Sequence, residues 1–331
     1  MVGETVAAPY RLAQVRLSNA IHTTVGVGHD VAHAALGPAR SAVTQLHAAT
    51  HARHLDDSTL RVMADGSGDT NDAFVRGVYR AADDDSVSSY GQIDRAVERI
   101  DDLDGAAQTR AKRLVADTDG DEIWLIDDID SSTLERVTGL NIERADELRA
   151  AFATKRSQGH AILDDIDAFA EYVDNLEGIT GLNSGPVDGF IRAHDFGNVK
   201  GALQEVRRAD EIGADNIQRM NLEVYDGKVP RGELDIQKTS GEIVESKSSF
   251  GFTSDEIDRQ FERKLTTMRD HEDVVFDGNT LEVQATNVQN QRLVSSGIAE
   301  WEHKVASQAE WNNADITIKV VDESSGNIIE G

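Results

Sequence analysis

The chain has 331 residues, with 60 acidic and 33 basic side chains, a formal net charge of -27 at pH 7, and no cysteine. The lack of cysteine excludes disulfides and thiolate metal ligands, and the length predicts two or three domains. Because the acid excess is spread along the chain, it indicates adaptation to a high-salt cytoplasm such as that of halophilic archaea, where the screening length is about 3 Å at 1 M salt. An ordinary acidic protein is the alternative.

The first part of the chain, residues 8–55, is rich in Ala, Leu, Val and His and is broken by glycine and proline, which predicts two helices. Six of the ten histidines lie here, and the pairs His29/His33 and His47/His51 are each spaced to share a helical face. A zinc site would need a third ligand that this pattern does not supply. Packed or solvated histidines are therefore the favoured interpretation.

The next segment, residues 56–120, shifts to Asp, Ser and Gly, with helices predicted at Asp72–Ala82 and Tyr90–Val115. The acids of Asp117–Glu122 resemble the start of a calcium loop, but the glutamate that closes such a loop is missing. We therefore predict a turn here, followed by an apolar strand at Ile123–Ile126.

A helical hairpin is predicted at Leu134–Phe152, with Gly139 in its turn and apolar side chains on one face of its second helix. It is similar to a helix-hairpin-helix element, which presents backbone amides to a nucleic-acid phosphate. Asn141 replaces the second glycine of that motif, so a plain helical hairpin is the favoured alternative. A glycine-containing loop at 176–186 then marks a domain boundary.

These features predict three regions: an acidic helical region at 1–120, a hairpin and linker region at 121–190, and a third domain at 191–331. No apolar run approaches the length of a membrane span, and the N-terminus lacks the pattern of a secretory signal. We therefore expect a cytoplasmic protein with no membrane partner, or one delivered to a target cell by a route that leaves no such signal.

The third domain is predicted to contain alternating helices and strands. The elements are a helix at Gly197–Ile212, a strand at Met220–Tyr225, two strands within Gly232–Ser249, a helix at Thr253–Asp270, a strand at Thr280–Ala285, a helix at Gln289–Gln308 and a strand at Ala314–Val321. The order α-β-β-β-α-β-α-β predicts an α/β domain with a mixed β-sheet flanked by helices, behind a mainly helical N-terminal region.

The two strands within Gly232–Ser249 (GELDIQKTSGEIVESKSS) carry an unusual set of charges. Side chains alternate along a strand, so Glu245 and Lys247 share one face. Antiparallel pairing across the polar turn would bring Asp235 beside Glu245. Two converging carboxylates suit Mg²⁺, which prefers oxygen ligands, and a lysine beside them can orient water or stabilise charge on a phosphodiester.

This pattern resembles the PD-(D/E)xK nuclease superfamily, the restriction-endonuclease-like fold, over about 130 residues, roughly Phe196 to Val321. The resemblance implies that Asp235, Glu245 and Lys247 are catalytic and that Glu205, in KGALQEV, is the additional helical acid. The Pro-Asp dipeptide of the family is absent, since Leu234 precedes the aspartate, but Gly-Glu-hydrophobic-Asp occurs in many members.

The same resemblance implies a cofactor, Mg²⁺ or Mn²⁺. Asp235, Glu245, Glu205 and the carbonyl of Ser246 would hold it, and Lys247 would orient the attacking water. A chance match in an acidic chain, with an ordinary surface ion pair, is the alternative.

Nucleic-acid contacts are predicted on the helices around this site, although a domain of net negative charge repels phosphate unless salt screens it. The candidates are Lys200, Arg207, Arg208, Arg259, Arg263 and Lys264. Gln260 is a candidate auxiliary polar residue, whereas Trp301 and Trp311 are expected to pack in the core rather than stack on bases. For any one of these basic residues, a solvated helix surface is the alternative.

Three functional hypotheses follow. The first is an endonuclease for DNA repair, restriction or junction processing. The second, slightly favoured, is a toxin or effector nuclease, similar to those of polymorphic toxin systems, with a cognate immunity protein as partner. The third is a non-catalytic binding or scaffold module. A homodimer would suit the cutting of two strands, although no motif establishes one.

Overall fold

A computed structural model describes residues 51, 54–64, 69–83, 90–117, 123–226 and 229–331. The chain divides into two compact units, residues 1–139 with Phe152–Arg156, and residues 140–151 with 157–331. The two helices predicted within residues 8–55, and most of their histidines, lie outside the described residues. None of the helices in the described ranges is both long and apolar enough to cross a membrane.

The first unit is helical throughout its described residues. Its helices are α1 (Asp57–Ala64), α2 (Asp69–Asp83), α3 (Tyr90–Asp101), α4 (Gly105–Asp117), α5 (Ile123–Asp128) and α6 (Ser131–Gly139). Several of its acids begin helices: Asp56, Asp104 and Asp130 each accept a hydrogen bond from a backbone amide three residues further on. Such caps satisfy amides that have no partner within the helix. Part of the acidic composition therefore serves local structure.

The apolar run at Ile123–Ile126 is helix α5, so the predicted strand was wrong. Ile123, Leu125 and Ile126 are all buried, and Asp127 on the same helix accepts two hydrogen bonds of 2.7 Å from Arg95 of α3. A short apolar run fits a buried strand and a buried helix equally well. In this chain the run forms a helix, as do the segments that precede and follow it.

The second unit begins with helices and continues into a sheet. Its helices are α7 (Ala145–Ser157, whose last turns belong to the first unit), α8 (Leu163–Asn175), α9 (Asp188–Arg192), α10 (Phe196–Ile212), α11 (Ser254–Asp270) and α12 (Gln291–Ser307), and a π-helical turn covers Asn183–Val187. Both helices of the predicted hairpin are present, and Leu148 and Phe152 are buried. The boundary predicted near residue 190 falls within this unit.

The sheet has six strands in sequential order. They are β1 (Ile217–Asp226), β2 (Val229–Lys238), β3 (Ile243–Lys247), β4 (Asn279–Ala285), β5 (Ile316–Asp322) and β6 (Asn327–Ile329). The β3–β4 and β4–β5 pairs are parallel and the others antiparallel. The predicted α/β class, the mixed sheet and the element order from α10 to β5 are confirmed, whereas the three-residue strand β6 was not predicted.

Helices α11 and α12 pack on the sheet around one apolar core. This core includes Leu234, Ile243, Phe261, Leu265, Leu281, Val283, Ile298, Trp301, Ile318 and Val320. Helix α10 buries a separate stripe, Val199, Ala202, Val206 and Ala209, which the sequence pattern predicted except that Leu203 is only half-buried. The N-termini of α10, α11 and α12 are capped by the side chains of Asp195, Thr253 and Asn290, respectively.

Candidate active site

Strands β2 and β3 separate at the predicted acids. Their backbone ladder comprises the pairs Ile236–Val244 and Gln237–Ile243. At the next step, the Asp235 amide donates to Oε1 of Glu245 at 3.2 Å, and the Ser246 amide donates to Oδ2 of Asp235 at 2.8 Å. Carboxylate oxygens thus take the positions that backbone carbonyls would fill in a regular ladder. We call Asp235, Glu245 and Lys247 the strand fork.

Lys247 lies beside both carboxylates, on the same side as Glu245, as strand alternation predicted. Its Nζ is 3.2 Å from Oε2 of Glu245 and 4.0 Å from Oδ2 of Asp235. The Lys247 side chain is 26% exposed, whereas that of Glu245 is fully buried. Lys247 is therefore the most exposed of the three fork side chains.

Lys264 joins the same group from helix α11. Its Nζ contacts Oε2 of Glu245, lies 3.6 Å from Oδ1 of Asp235 and donates to the Glu233 carbonyl at 2.6 Å. The prediction that Lys264 contacts nucleic acid from the surface was wrong, because its side chain is buried among the carboxylates.

Glu205 approaches from helix α10. The residue is half-buried, but its Oε1 is enclosed and has no hydrogen-bond partner among the described residues. The backbone of Gly185 closes over it, since a Cβ there would lie 3.4 Å from Oε1 and 2.7 Å from the Asn221 side chain. An unpaired buried carboxyl oxygen is costly in a folded chain, and it marks this cluster as incomplete.

The electrostatics of the cluster show an excess of acid. Burial, followed by the neighbouring Asp235, raises the pKa of Glu245, and the same two causes raise the pKa of Glu205 well above its ordinary value. Burial also raises the pKa of Glu233. For Asp235, burial acts upward, but Lys247 and Lys264 outweigh it and lower the pKa. The positive charge of the two lysines thus lowers the pKa of Asp235 but does not offset burial at Glu245, Glu205 and Glu233.

Lys247 itself stays charged. Burial acts to lower its pKa, but the carboxylates of Asp235 and Glu245 outweigh burial and raise it. A lysine with a raised pKa does not accept a proton near neutral pH. Its available chemistry is to donate hydrogen bonds and to stabilise negative charge.

The residues at the fork fit a hard divalent cation in chemistry. Asp235, Glu245 and Glu205 supply carboxylate oxygens, which Mg²⁺ prefers, and the unpartnered Oε1 of Glu205 is one oxygen still to be satisfied. Within the described ranges, no three His, Asp or Glu side chains already stand in a metal-binding arrangement. The amide of Ser246 binds Asp235, and the predicted role of its carbonyl stays a prediction.

The remaining basic candidates differ in availability. Arg207 and Arg208 both pair with Glu211 and Glu323, so their predicted surface role conflicts with this ion-pair network. Lys200 is exposed, with its Nζ 4.4 Å from the centre of the Phe196 ring.

Arg259 and Arg263 are exposed one turn apart on α11, and no ion pair involves either within the described part of the chain. Gln260 is half-exposed between them. Trp301 and Trp311 are buried, as expected, although Trp311 lies just beyond α12.

Sequence reasoning missed the positions of Lys264 and of the glycines around the cluster. A pattern could have located Lys264, because it lies next to Phe261 and Leu265 on the apolar stripe of α11. A charged residue beside such a stripe needs a buried partner. The close approach over Gly185 depends on a loop distant in sequence and left no comparable pattern.

In comparisons with known proteins, no family model matches the chain, and no curated protein or solved structure matches it. The functional argument therefore rests on the geometry and chemistry of the strand fork.

Proposed function

We propose that the second unit is a metal-dependent nuclease that hydrolyses phosphodiester bonds of DNA or RNA at the strand fork. The observation that supports it best is the replacement of backbone pairing by Asp235 and Glu245, with Lys247 in contact and an excess of buried acid around them. A sheet gives up ladder hydrogen bonds and buries unpaired acid at a cost in stability, and such costs concentrate at functional sites.

In this proposal each residue has a separate task. Asp235, Glu245 and Glu205 hold Mg²⁺ or Mn²⁺, which when bound supplies a Lewis acid that acidifies water and neutralises phosphate charge. The Lys247 ammonium lies at the exposed rim of the fork, where it can donate to a water or to a phosphate oxygen. Since its raised pKa keeps it protonated, Lys247 orients and stabilises rather than removing the proton.

We assign substrate contact to exposed cations on helices α10 and α11. Lys200 on α10, and Arg259 and Arg263 on α11, are exposed and sit on the two helices that carry Glu205 and Lys264. Phosphate contacts of this kind weaken as salt rises, so we expect cleavage to slow as the salt concentration increases.

The direct test is a cleavage panel of supercoiled plasmid, single-stranded DNA and total tRNA, in concentrated KCl with Mg²⁺ or Mn²⁺. The proposal predicts that wild type cuts at least one substrate, whereas folded Glu245→Gln does not cut and folded Lys247→Met cuts about 10²-fold to 10³-fold more slowly. Lys319→Met, which removes a lysine from a different buried glutamate, is the matched control and should keep the activity. A folded wild type that cuts nothing would refute the proposal.

Two further assignments belong to the same proposal. As an effector nuclease, the protein would be toxic when expressed in the cytoplasm of a sensitive cell and would be neutralised by an immunity protein. As a repair or junction-processing enzyme, it would be tolerated, whereas a restriction enzyme would be toxic unless the DNA of the host is protected by methylation. Growth of cells that express wild type or Lys247→Met separates the tolerated enzymes from the toxic ones, and rescue by a protein rather than by DNA methylation then identifies the effector.

A non-catalytic module is the second candidate, and the Lys264 contact favours it. Lys264 already supplies a buried counter-charge to Glu245, so the cluster can be interpreted as an internal ion pair. The unpaired Oε1 of Glu205 argues against that interpretation, and the same panel decides between them.

A further inference from the structure

Lys264 occupies an unusual place for a lysine. It lies on the buried side of α11, next to Phe261 and Leu265, and its side chain is only 6% exposed. Burying an ammonium group is costly unless it is paired and hydrogen-bonded. The position therefore requires the acids that surround it.

The contacts of Lys264 meet that requirement from three directions. Its Nζ contacts the Glu245 carboxylate, lies 3.6 Å from Oδ1 of Asp235 and donates to the Glu233 carbonyl at 2.6 Å. A small cation bound at this point would meet the same three oxygen atoms. The ammonium group therefore stands among ligands of the type that a hard metal ion prefers.

The packing of β2 on α11 holds the ammonium group in place. Gly232 on β2 approaches Thr267 so closely that a Cβ at Gly232 would meet the Thr267 Oγ1 at 1.9 Å. Thr267 lies one turn after Lys264 on the same helix, and its hydroxyl donates to the Arg263 carbonyl. A tight strand–helix contact thus sets the distance from α11 to the carboxylates.

The two lysines of the cluster differ in access. Lys247 is 26% exposed and lies at the rim, whereas Lys264 is enclosed. A buried ammonium group on the core side of the carboxylates does not reach a substrate. Its influence acts through Asp235 and Glu245.

We propose that Lys264 is an internal counter-cation that positions Asp235 and Glu245 in the metal-free chain and competes with a divalent ion for Glu245. This inference rests on the proposed metal site. The carboxylates of Asp235 and Glu245 would then be held in place in two ways, by the Lys264 ammonium group or by a divalent ion. The protein would then keep its carboxylates in place without metal, at the cost of weaker metal binding.

The test compares wild type with Lys264→Met for Ca²⁺ binding by titration calorimetry and for thermal unfolding in EDTA. Removing a positive charge that contacts the proposed ligand Glu245 should raise Ca²⁺ affinity about tenfold or more, while the melting temperature in EDTA falls. Lys264→Arg retains the charge and should retain the weak binding. Lys319→Met is the control, with reduced stability and unchanged Ca²⁺ affinity.

Two results would overturn the inference: a Lys264→Met variant that binds Ca²⁺ no more tightly than wild type, or one that melts at the wild-type temperature in EDTA. Should Lys264→Met not fold in any buffer, the double variant Glu245→Gln/Lys264→Met removes the unpaired charge and should restore folding. If the double variant stays unfolded, Lys264 serves packing alone and the inference fails.

Cleavage by wild type, measured in parallel, separates this inference from the nuclease proposal. If wild type cuts and Lys264→Met binds Ca²⁺ with the wild-type affinity, the counter-cation inference is refuted and the nuclease proposal stands. An inactive wild type whose Lys264→Met variant binds Ca²⁺ more tightly supports the counter-cation and refutes the nuclease.

Discussion

Two buried groups of acids and lysines lie on the same sheet, and their charges are balanced in different ways. In the first, the Glu282 cluster, Glu282 is 2.6 Å from Lys319 and 3.7 Å from Lys238, and Gln284 donates to its other oxygen. The second is the strand fork with Glu205 and Lys264. Glu282 has a partner for each carboxylate oxygen, whereas Glu205 has an enclosed oxygen without one.

The pKa values follow the same division. Burial acts to raise the pKa of Glu282, but Lys319, Gln284 and Lys238 outweigh it and lower the pKa. At the fork, burial and the neighbouring acids raise the pKa of Glu205 and of Glu245. A satisfied buried acid is compatible with a structural role, whereas an unsatisfied buried acid with a raised pKa is a candidate functional group. This difference is the reason for assigning function to the fork alone.

The largest expected effect is a loss of cleavage rate that occurs when the strand fork is changed but not when the Glu282 cluster is changed. Lys247→Met removes the charge that we propose stabilises the phosphate, so we expect the cleavage rate to fall about 10²-fold to 10³-fold. Lys319→Met removes a lysine from the Glu282 cluster and should leave the rate near that of wild type. Single-turnover cleavage with both variants checks this, and an equal loss in the two would erase the distinction.

A smaller effect concerns the packing that supports the fork. Gly232→Ala would force β2 away from Thr267 on α11, and we expect a loss of about 1–3 kcal/mol in the free energy of unfolding. Gly201→Ala is the matched control, since no atom lies within 4 Å of a Cβ on that helical residue and alanine favours a helix by about 0.5–1 kcal/mol. Urea unfolding measures the free energy of unfolding of both variants. Equal values would show that the contact between Gly232 and Thr267 does not constrain β2.

The smallest effect is on the pH dependence of stability. Because the folded pKa of Glu205 lies above its ordinary value of 4.5, the folded chain binds more protons than the unfolded chain between those two pKa values. Stability therefore decreases as pH rises through that window. Glu205→Gln should flatten this decrease and gain about 1 kcal/mol above the raised pKa.

Glu282 has the opposite effect on the pH dependence of stability. Its folded pKa is lowered, so its contribution to stability is present above pH 4.5, the ordinary value, and is lost as pH falls through the folded pKa. Glu282→Gln should therefore lose stability at neutral pH. Urea unfolding across the acidic and neutral range compares the two variants, and a loss in both would contradict the assignment of unpaired acid to the fork.

Much of the second unit could be predicted from the sequence because its patterns are local. The turn between β2 and β3 and the alternation along β3 place Asp235, Glu245 and Lys247 together without any distant contact. The amphipathic stripe of α10 likewise predicts a helix that buries one face. The catalytic roles of these residues stay predictions.

The features that could not be predicted depend on partners distant in sequence. Arg207 meets Glu323 across 116 positions, so no local pattern separates it from an exposed arginine. The helix α5 was mistaken for a strand because its apolar run is too short to show a period. Lys264 was assigned by its charge alone, although the buried residues around it on α11 indicated an internal position.

The most direct measurement of the central claim is the cleavage rate of Glu245→Gln and Glu282→Gln, side by side with wild type, on the substrate that the panel selects. Both variants replace a buried glutamate by its amide, so they differ in which cluster is changed. The account predicts that folded Glu245→Gln is inactive and that folded Glu282→Gln still cuts. Cleavage by Glu245→Gln at the wild-type rate would contradict it.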